Sequence, residues 1–352
     1  VLELLRRGRH GNDEVDALYL LDTVVVNTGG NIDVGFTDPA TCAITPPGTA
    51  AGSLTPAESE NQSTNLDTND LQIISGEGFS PYGVDVHGRV LVDLTTTGRD
   101  DLVPIWNNTY STDSFVGTSF AAPHIAGAVT NLKHHLKVLW PTLGNNPGNP
   151  YALSLLMADG QLEDVSLAPA RSWAADPARF AGRDTPPDEM WGHGRMQMRL
   201  FTDEGMDAPF GVSLVIKELV DGEVWDRDLN GGTALPATAD TLRATVWWFE
   251  PNVGSTESPA TLETKLVRDG TVWETTAPEK PISSQRLRIL RPTGGATQVG
   301  SRTFTIRVEG DVVPASTHAD YYSGQQKRKV HLASFWEDDA RNDSDGPSAD
   351  IQ

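Results

Sequence analysis

The stretch Gly117-Thr118-Ser119-Phe120-Ala121-Ala122-Pro123-His124-Ile125-Ala126-Gly127 constrains the fold more than any other part of this chain. Ala122, Ile125, Ala126, Val129, Leu132 and Leu136 recur at helical spacing, which predicts a helix over 118–139 with one apolar face. Pro123 falls in the first turns, where its missing N–H costs little, and Pro141 stops the helix. Ser119 therefore stands at the mouth of a helix whose first turns are built from small residues. Its backbone N–H has no partner within the helix there, and the helix dipole favours negative charge at that end. On helix grammar alone the same pattern describes a Ser/Thr cap on an Ala-rich helix.

The rest of the chain divides into two textures. Val15 to Leu21 suits a short helix, and Thr23 to Val26 is a β-branched run that reads as a buried strand. Residues 28–70 are rich in Gly, Thr, Pro, Ser and Asn and predict loops with short strands. Val90 to Leu94 predicts another strand, and Tyr151 to Met157 another helix. From about residue 208 short alternating segments follow one another, separated by turn residues: 212–220, 241–249, 261–267, 271–275, 285–290, 302–308 and 327–335. Such a series predicts an all-β sandwich or jelly roll. The expected organisation is an α/β domain over 1–205, a β domain over 206–340 and an acidic tail over 341–352 that frays.

Composition narrows the function. A net charge of -21 over 352 residues disfavours nucleic acid and anionic membranes, which would repel the chain. No run of apolar residues is long enough to span a bilayer. Cys42 is the only cysteine, so no disulfide forms within the chain. Val1 reads as a processing point or an arbitrary cut. The run Asp221 to Gly232 offers several oxygen ligands near glycines but lacks the spacing of an EF-hand, and reads as a solvated β-turn.

The spacing Gly-Thr-Ser-x-Ala-x-Pro-x-x-Ala-Gly over 117–127 resembles the active-site serine block of the subtilisin-like serine proteases, the subtilases. Three further segments resemble the same family in the right order. Val24-Val25-Val26-Asn27-Thr28-Gly29-Gly30-Asn31 is similar to the strand and Gly-Asn turn that carry the oxyanion-hole asparagine. Phe79, Ser80, Gly83, Gly88, Arg89, Asp93 and Gly98 align without a gap on a second segment, where Leu91-Val92 and Thr96-Thr97 replace the usual Lys-Pro and Ala-Pro. Trp191-Gly192-His193-Gly194-Arg195 resembles the turn that closes the catalytic domain. The resemblance covers about 15–203 and implies a parallel-sheet α/β domain. It implies Ser119 as nucleophile and Asn31 as oxyanion donor, with Asn27 the other asparagine of that segment.

The family's catalytic Asp and His lie upstream of these segments, and nothing here resembles either. His10 lacks the expected surroundings of a catalytic histidine. His124 points about 140° round the helix from Ser119 at 100° per residue. His87 lies in a loop, His134 and His135 at the far end of the helix, and His193 in the closing turn. The resemblance therefore implies a secreted serine endopeptidase acting on protein or peptide substrates by an acyl-enzyme. This chain is expected to be inactive or nearly so by itself, and an upstream fragment would complete it. The chemistry needs no cofactor; family members often bind structural Ca2+, for which no site is placed here. The competing expectations are an inactive pseudoprotease scaffold and a β-sandwich binding or adhesion module.

Overall fold

The computed structural model describes residues 15–31, 44, 47–60, 90–99, 103–105, 109–111, 117–139, 141–159, 192–196, 213–250, 259–276, 284–289, 299–316 and 321–338. The expectations for His10, Cys42, His87, Phe79 to Arg89, the junction near 205 and the tail lie outside the described residues.

The first half is an α/β layer. Helix α1 (15–20) leads to strand β1 (Val25–Val26), which runs parallel to β2 (Ser53–Leu54). Past Thr55 the same stretch continues as β3 (Pro56–Glu60), parallel to β4 (Leu94–Arg99). A hairpin of β5 (Val103–Ile105) and β6 (Thr109–Ser111) follows. Then come α2 (Thr118–Leu139), α3 (Pro141–Gly144) and α4 (Gly148–Leu156). Strand β7 (Ala158–Asp159) pairs antiparallel with β8 (Arg195–Met196), and β8 pairs parallel with β4. Helix α2 covers the sheet with the face the sequence predicts: Ile125, Val129, Leu132 and Leu136 are buried with Leu54 of β2 and Leu94 of β4.

Two local expectations shift. The strand expected at Val90–Leu94 begins only at Leu94, because Asp93 is occupied as a junction. Its N–H donates to Thr55 O (3.0 Å), its Oδ2 accepts from Thr55 N (2.7 Å), and its carbonyl accepts from His193 N (2.8 Å). The β-branched Thr95-Thr96-Thr97 carry the strand instead. Pro141 does end α2, and it then opens α3, where a first-turn proline loses no helical hydrogen bond.

The second half contains two four-stranded antiparallel sheets. One has the order β10 (Val224–Asp228), β15 (Phe304–Val312), β12 (Thr261–Arg268), β13 (Thr271–Thr276). The other has the order β14 (Ser284–Ile289), β11 (Ala239–Trp248), β16 (Lys327–Asp338), β9 (Ser213–Val220). Leu262, Leu266, Phe304, Ile306 and Val308 of the first sheet share one buried cluster with Leu242, Ala244, Val246, Trp248, Val330 and Leu332 of the second.

Strand β10 was not expected from the sequence, which reads Asp221 to Gly232 as a turn. Turns occupy only the two ends of this run, Asp221-Gly222, where Gly222 takes φ +71°, and the short 3-10 helix Leu229–Gly232. The acidic side chains between them serve the sheet. Asp226 receives both Nε (2.7 Å) and Nη2 (2.8 Å) of Arg307 across the strands, and Asp228 Oδ1 accepts from Thr305 Oγ1 (2.6 Å). Asp221 Oδ1 accepts from Val313 N (2.8 Å). The Arg307 guanidinium holds the Asp226 carboxyl below its ordinary range.

The halves share a second core. Side chains alternate across a strand, so the Trp247-Trp248 pair sends one ring to each side of β11. Trp248 enters the cluster between the two sheets; Trp247 faces α4. There its ring stacks on Tyr151 at 4.6 Å, while Tyr19 of α1 stacks on Phe249 at 4.4 Å. Burial pushes the Tyr19 and Tyr151 hydroxyls above their ordinary range, so both stay neutral. Below this cluster Arg328 and Glu250 form a buried bidentate ion pair at 3.0 and 2.8 Å.

Candidate active site

The start of α2 is fixed from two sides. Beneath it runs β4, whose Gly98 carbonyl accepts from Gly117 N at 2.9 Å. A Cβ on Gly98 would lie 2.8 Å from Gly117 O and 2.7 Å from Glu58 Cβ, so this approach needs glycine. Beside it lies the turn that follows β1. Thr118 N donates to Asn31 Oδ1 at 2.9 Å. The Thr118 hydroxyl, with one proton, spans Gly30 O at 2.9 Å and Asn31 Oδ1 at 3.1 Å.

These bonds orient the asparagine. An N–H must face oxygen, so Asn31 Oδ1 is the atom turned to Thr118 and Nδ2 lies on the other side, over Gly117. Among the described residues no acceptor takes the Nδ2 protons. Gly117 has φ +135°, and a Cβ there would meet Asn31 Nδ2 at 2.6 Å. Glycine is thus required twice, for its backbone angle and for room. Next along α2, Ser119 is exposed in the first turn, and its hydroxyl has no hydrogen-bond partner among the described residues.

The structure therefore brings Asn31 and the Ser119 turn together across 87 residues of sequence. It separates the second asparagine from them: Asn27 Nδ2 donates to Ser53 Oγ at 2.9 Å, fastening β1 to β2. Sequence reasoning missed the part of Thr118. The signal for it is a side chain with a hydroxyl at the helix start, the position where such groups serve orphan backbone atoms. His124 is exposed on α2, with Nδ1 3.0 Å from Thr97 O. His193 is buried in the closing turn, and the rings of His134 and His135 sit 6.0 Å apart further along α2.

The remaining motif segments also meet. Gly192 packs on Asp93, with a hypothetical Cβ 2.2 Å from its carbonyl, and Thr95 N donates to Gly194 O at 2.8 Å. Among the described residues no three His, Cys, Asp or Glu side chains gather to hold a metal ion.

Residues 6–143 match the model of the Subtilase family, Peptidase_S8. This stretch is similar to the subtilases. It contains both Asn31 and Ser119, so the two groups joined through Thr118 fall within one family match. Among solved structures, the chain is similar to Sphericase at 21% identity, covering 42% of this chain and 43% of that one, with a TM-score of 0.29. It is similar to S41 Psychrophilic Protease at 19% identity, covering 42% of this chain and 45% of that one, with a TM-score of 0.28. A Lanthipeptide Protease aligns at 11% identity over 55% of this chain and 54% of that one, with a TM-score of 0.32. The aligned part is less than half the length of each of the first two proteases. No curated protein matches the sequence.

Proposed function

We propose that this chain is the serine-bearing part of a secreted subtilase that cleaves proteins through an acyl-enzyme on Ser119. One observation carries the reading: Thr118 holds Asn31 by its oxygen, which leaves the Nδ2 donors beside the serine turn. A serine at a helix mouth needs no such neighbour for capping. A serine that attacks a carbonyl does, because negative charge then develops on the carbonyl oxygen. Asn31 Nδ2 and the Ser119 N–H are the two donors for that oxygen. Ser119 Oγ bonds to the carbonyl carbon, the C–N bond breaks, and the Oγ proton passes through a base to the leaving amine. Water then hydrolyses the ester.

The base and its carboxylate have no match in this sequence, and we place them on a segment upstream of it. The exposed face of α2 supports that placement. Over its first three turns Ser119, Pro123, Ala126, Gly127 and Thr130 lie there at helical spacing, all small, before His134 and Lys137 follow on the same face, and a Cβ on Gly127 would meet nothing within 4 Å. Small side chains let a second segment approach the helix closely. The two antiparallel sheets are assigned as a β-sandwich or jelly-roll domain over 206–340, with 1–205 as the peptidase portion. The core shared by Tyr19, Tyr151, Trp247 and Phe249 supports a bracing role for the β-domain. The chemistry calls for no cofactor.

The test is casein turnover by the 352-residue chain, its Ser119→Ala variant, and the full-length protein from its natural source. The chain and its variant are expected to show little or no turnover, and the full-length protein to lose its turnover with Ser119→Ala. Turnover by the chain alone at the rate of the full-length protein, or turnover that survives Ser119→Ala, would refute the reading.

A further inference from the structure

The seam between the halves contains a titratable group that the serine chemistry does not use. His331 of β16 is wholly buried. Its ring lies 5.6 Å from the Trp247 ring and presses on the start of α4, where a Cβ on Gly148 would fall 2.2 Å from Nε2. Asn149 fixes its protonation. Asn149 Nδ2 donates to Leu143 O at 2.8 Å, so Oδ1 is the atom facing His331, 2.9 Å from Nδ1. Nδ1 must therefore carry the proton. Nε2 keeps a lone pair, is buried, and has no hydrogen-bond partner among the described residues.

Among the described residues no anion is paired with it. Helix α4 contains no charged residue. From β16 the same face carries Lys329; from β11 it carries Arg243 with Thr245 and Trp247. From β9 it carries Ile216 opposite His331, and Glu218 opposite Lys329. Glu218 is already engaged by the Tyr322 hydroxyl at 2.7 Å and lies 3.9 Å from Lys327 Nζ. Tyr151, next to Trp247, gives its hydroxyl proton to Gly52 O. A proton at Nε2 would create a buried charge and a donor that has no acceptor among the described residues. Burial, and then the Lys329 charge, push the imidazole down to about 3.

We propose that His331 is an acid-operated latch: a proton taken up at Nε2 drives α4, and the Ser119-bearing half with it, off the face of β11 and β16. Above the ordinary histidine range both folded and unfolded chains hold a neutral ring, and the latch costs nothing. As pH falls from about 6.5 towards 3, only the opened chain takes up the proton, so docking weakens across that window. Below it both states are charged and the loss levels off.

The experiment is denaturant unfolding of the full chain between pH 8 and 4, with the wild type beside His331→Asn, whose amide keeps a donor for Asn149 and cannot titrate. Below pH 6.5 the wild-type unfolding constant is expected to rise about tenfold per pH unit relative to the variant. Equal pH dependence in the two proteins would overturn the latch. Should the variant fail to fold, imidazole nitrogen NMR of the wild type decides. The His331 ring is expected to stay neutral with the proton on Nδ1 until Trp247 becomes exposed. A ring that protonates near pH 6.5 while Trp247 stays buried would overturn the proposal.

Discussion

At the scale of single residues, the site rests on Gly117, Thr118 and Asn31 acting together. Asn31→Leu removes the donor and is expected to lower kcat of the full-length protein about 10²–10³-fold, with little change in KM, as steady-state peptide hydrolysis would show. Thr118→Val keeps the backbone N–H that holds Asn31 but removes the hydroxyl bonds to Gly30 and Asn31. One lost hydrogen bond is worth about 0.5–1.5 kcal/mol, so kcat should fall about 3- to 10-fold. Gly117→Ala places a Cβ 2.6 Å from Asn31 Nδ2 at a backbone angle hostile to alanine. It should abolish turnover and cost about 1–3 kcal/mol in thermal unfolding. Ser119 and Asn31 can be proposed from the sequence because each stands in a short pattern that resembles the subtilases. Thr118 cannot, because its effect appears only when residues 87 positions apart are adjacent.

At the scale of elements, α4 decides how the halves meet. Trp247→Ala removes the ring that stacks on Tyr151, and about 3–5 kcal/mol of stability should go with it. Strand β10 makes the opposite prediction. The Asp226–Arg307 pair is half exposed, so Asp226→Ala should cost only about 0.2–1 kcal/mol by chemical denaturation. Because Arg307 lowers the Asp226 pKa, that increment is present above the ordinary carboxylate range and vanishes as pH falls through the lowered value. Helix α2 and most strands of the second half follow from apolar spacing alone. Strand β10 does not, since Val-Trp-Asp-Arg-Asp looks like a loop until Arg307 and Thr305 are set opposite its carboxylates. The strand at Leu94 likewise starts late because Asp93 is held by Thr55 and His193, partners far away in sequence.

At the scale of the whole molecule, a texture change near residue 208 reads as two units, yet Tyr19, Tyr151, Trp247, Phe249 and Phe335 form one buried cluster. No periodicity reveals this, because the contacts join strands to helices more than 90 residues away. The shared core should make the chain unfold in a single calorimetric transition; two well-separated transitions would argue for independent halves. Residues 213–338 expressed alone should expose Trp247 and Phe249 and bind a hydrophobic dye.

The central claim is that Ser119 is the nucleophile, and covalent labelling reaches it most directly. The full-length protein from its natural source would be treated with a fluorophosphonate and the adduct located by mass spectrometry. An adduct on Ser119 that forms as peptide hydrolysis is lost is the predicted result. Hydrolysis that persists with Ser119 fully modified, or that stops with the adduct on another residue, would contradict it.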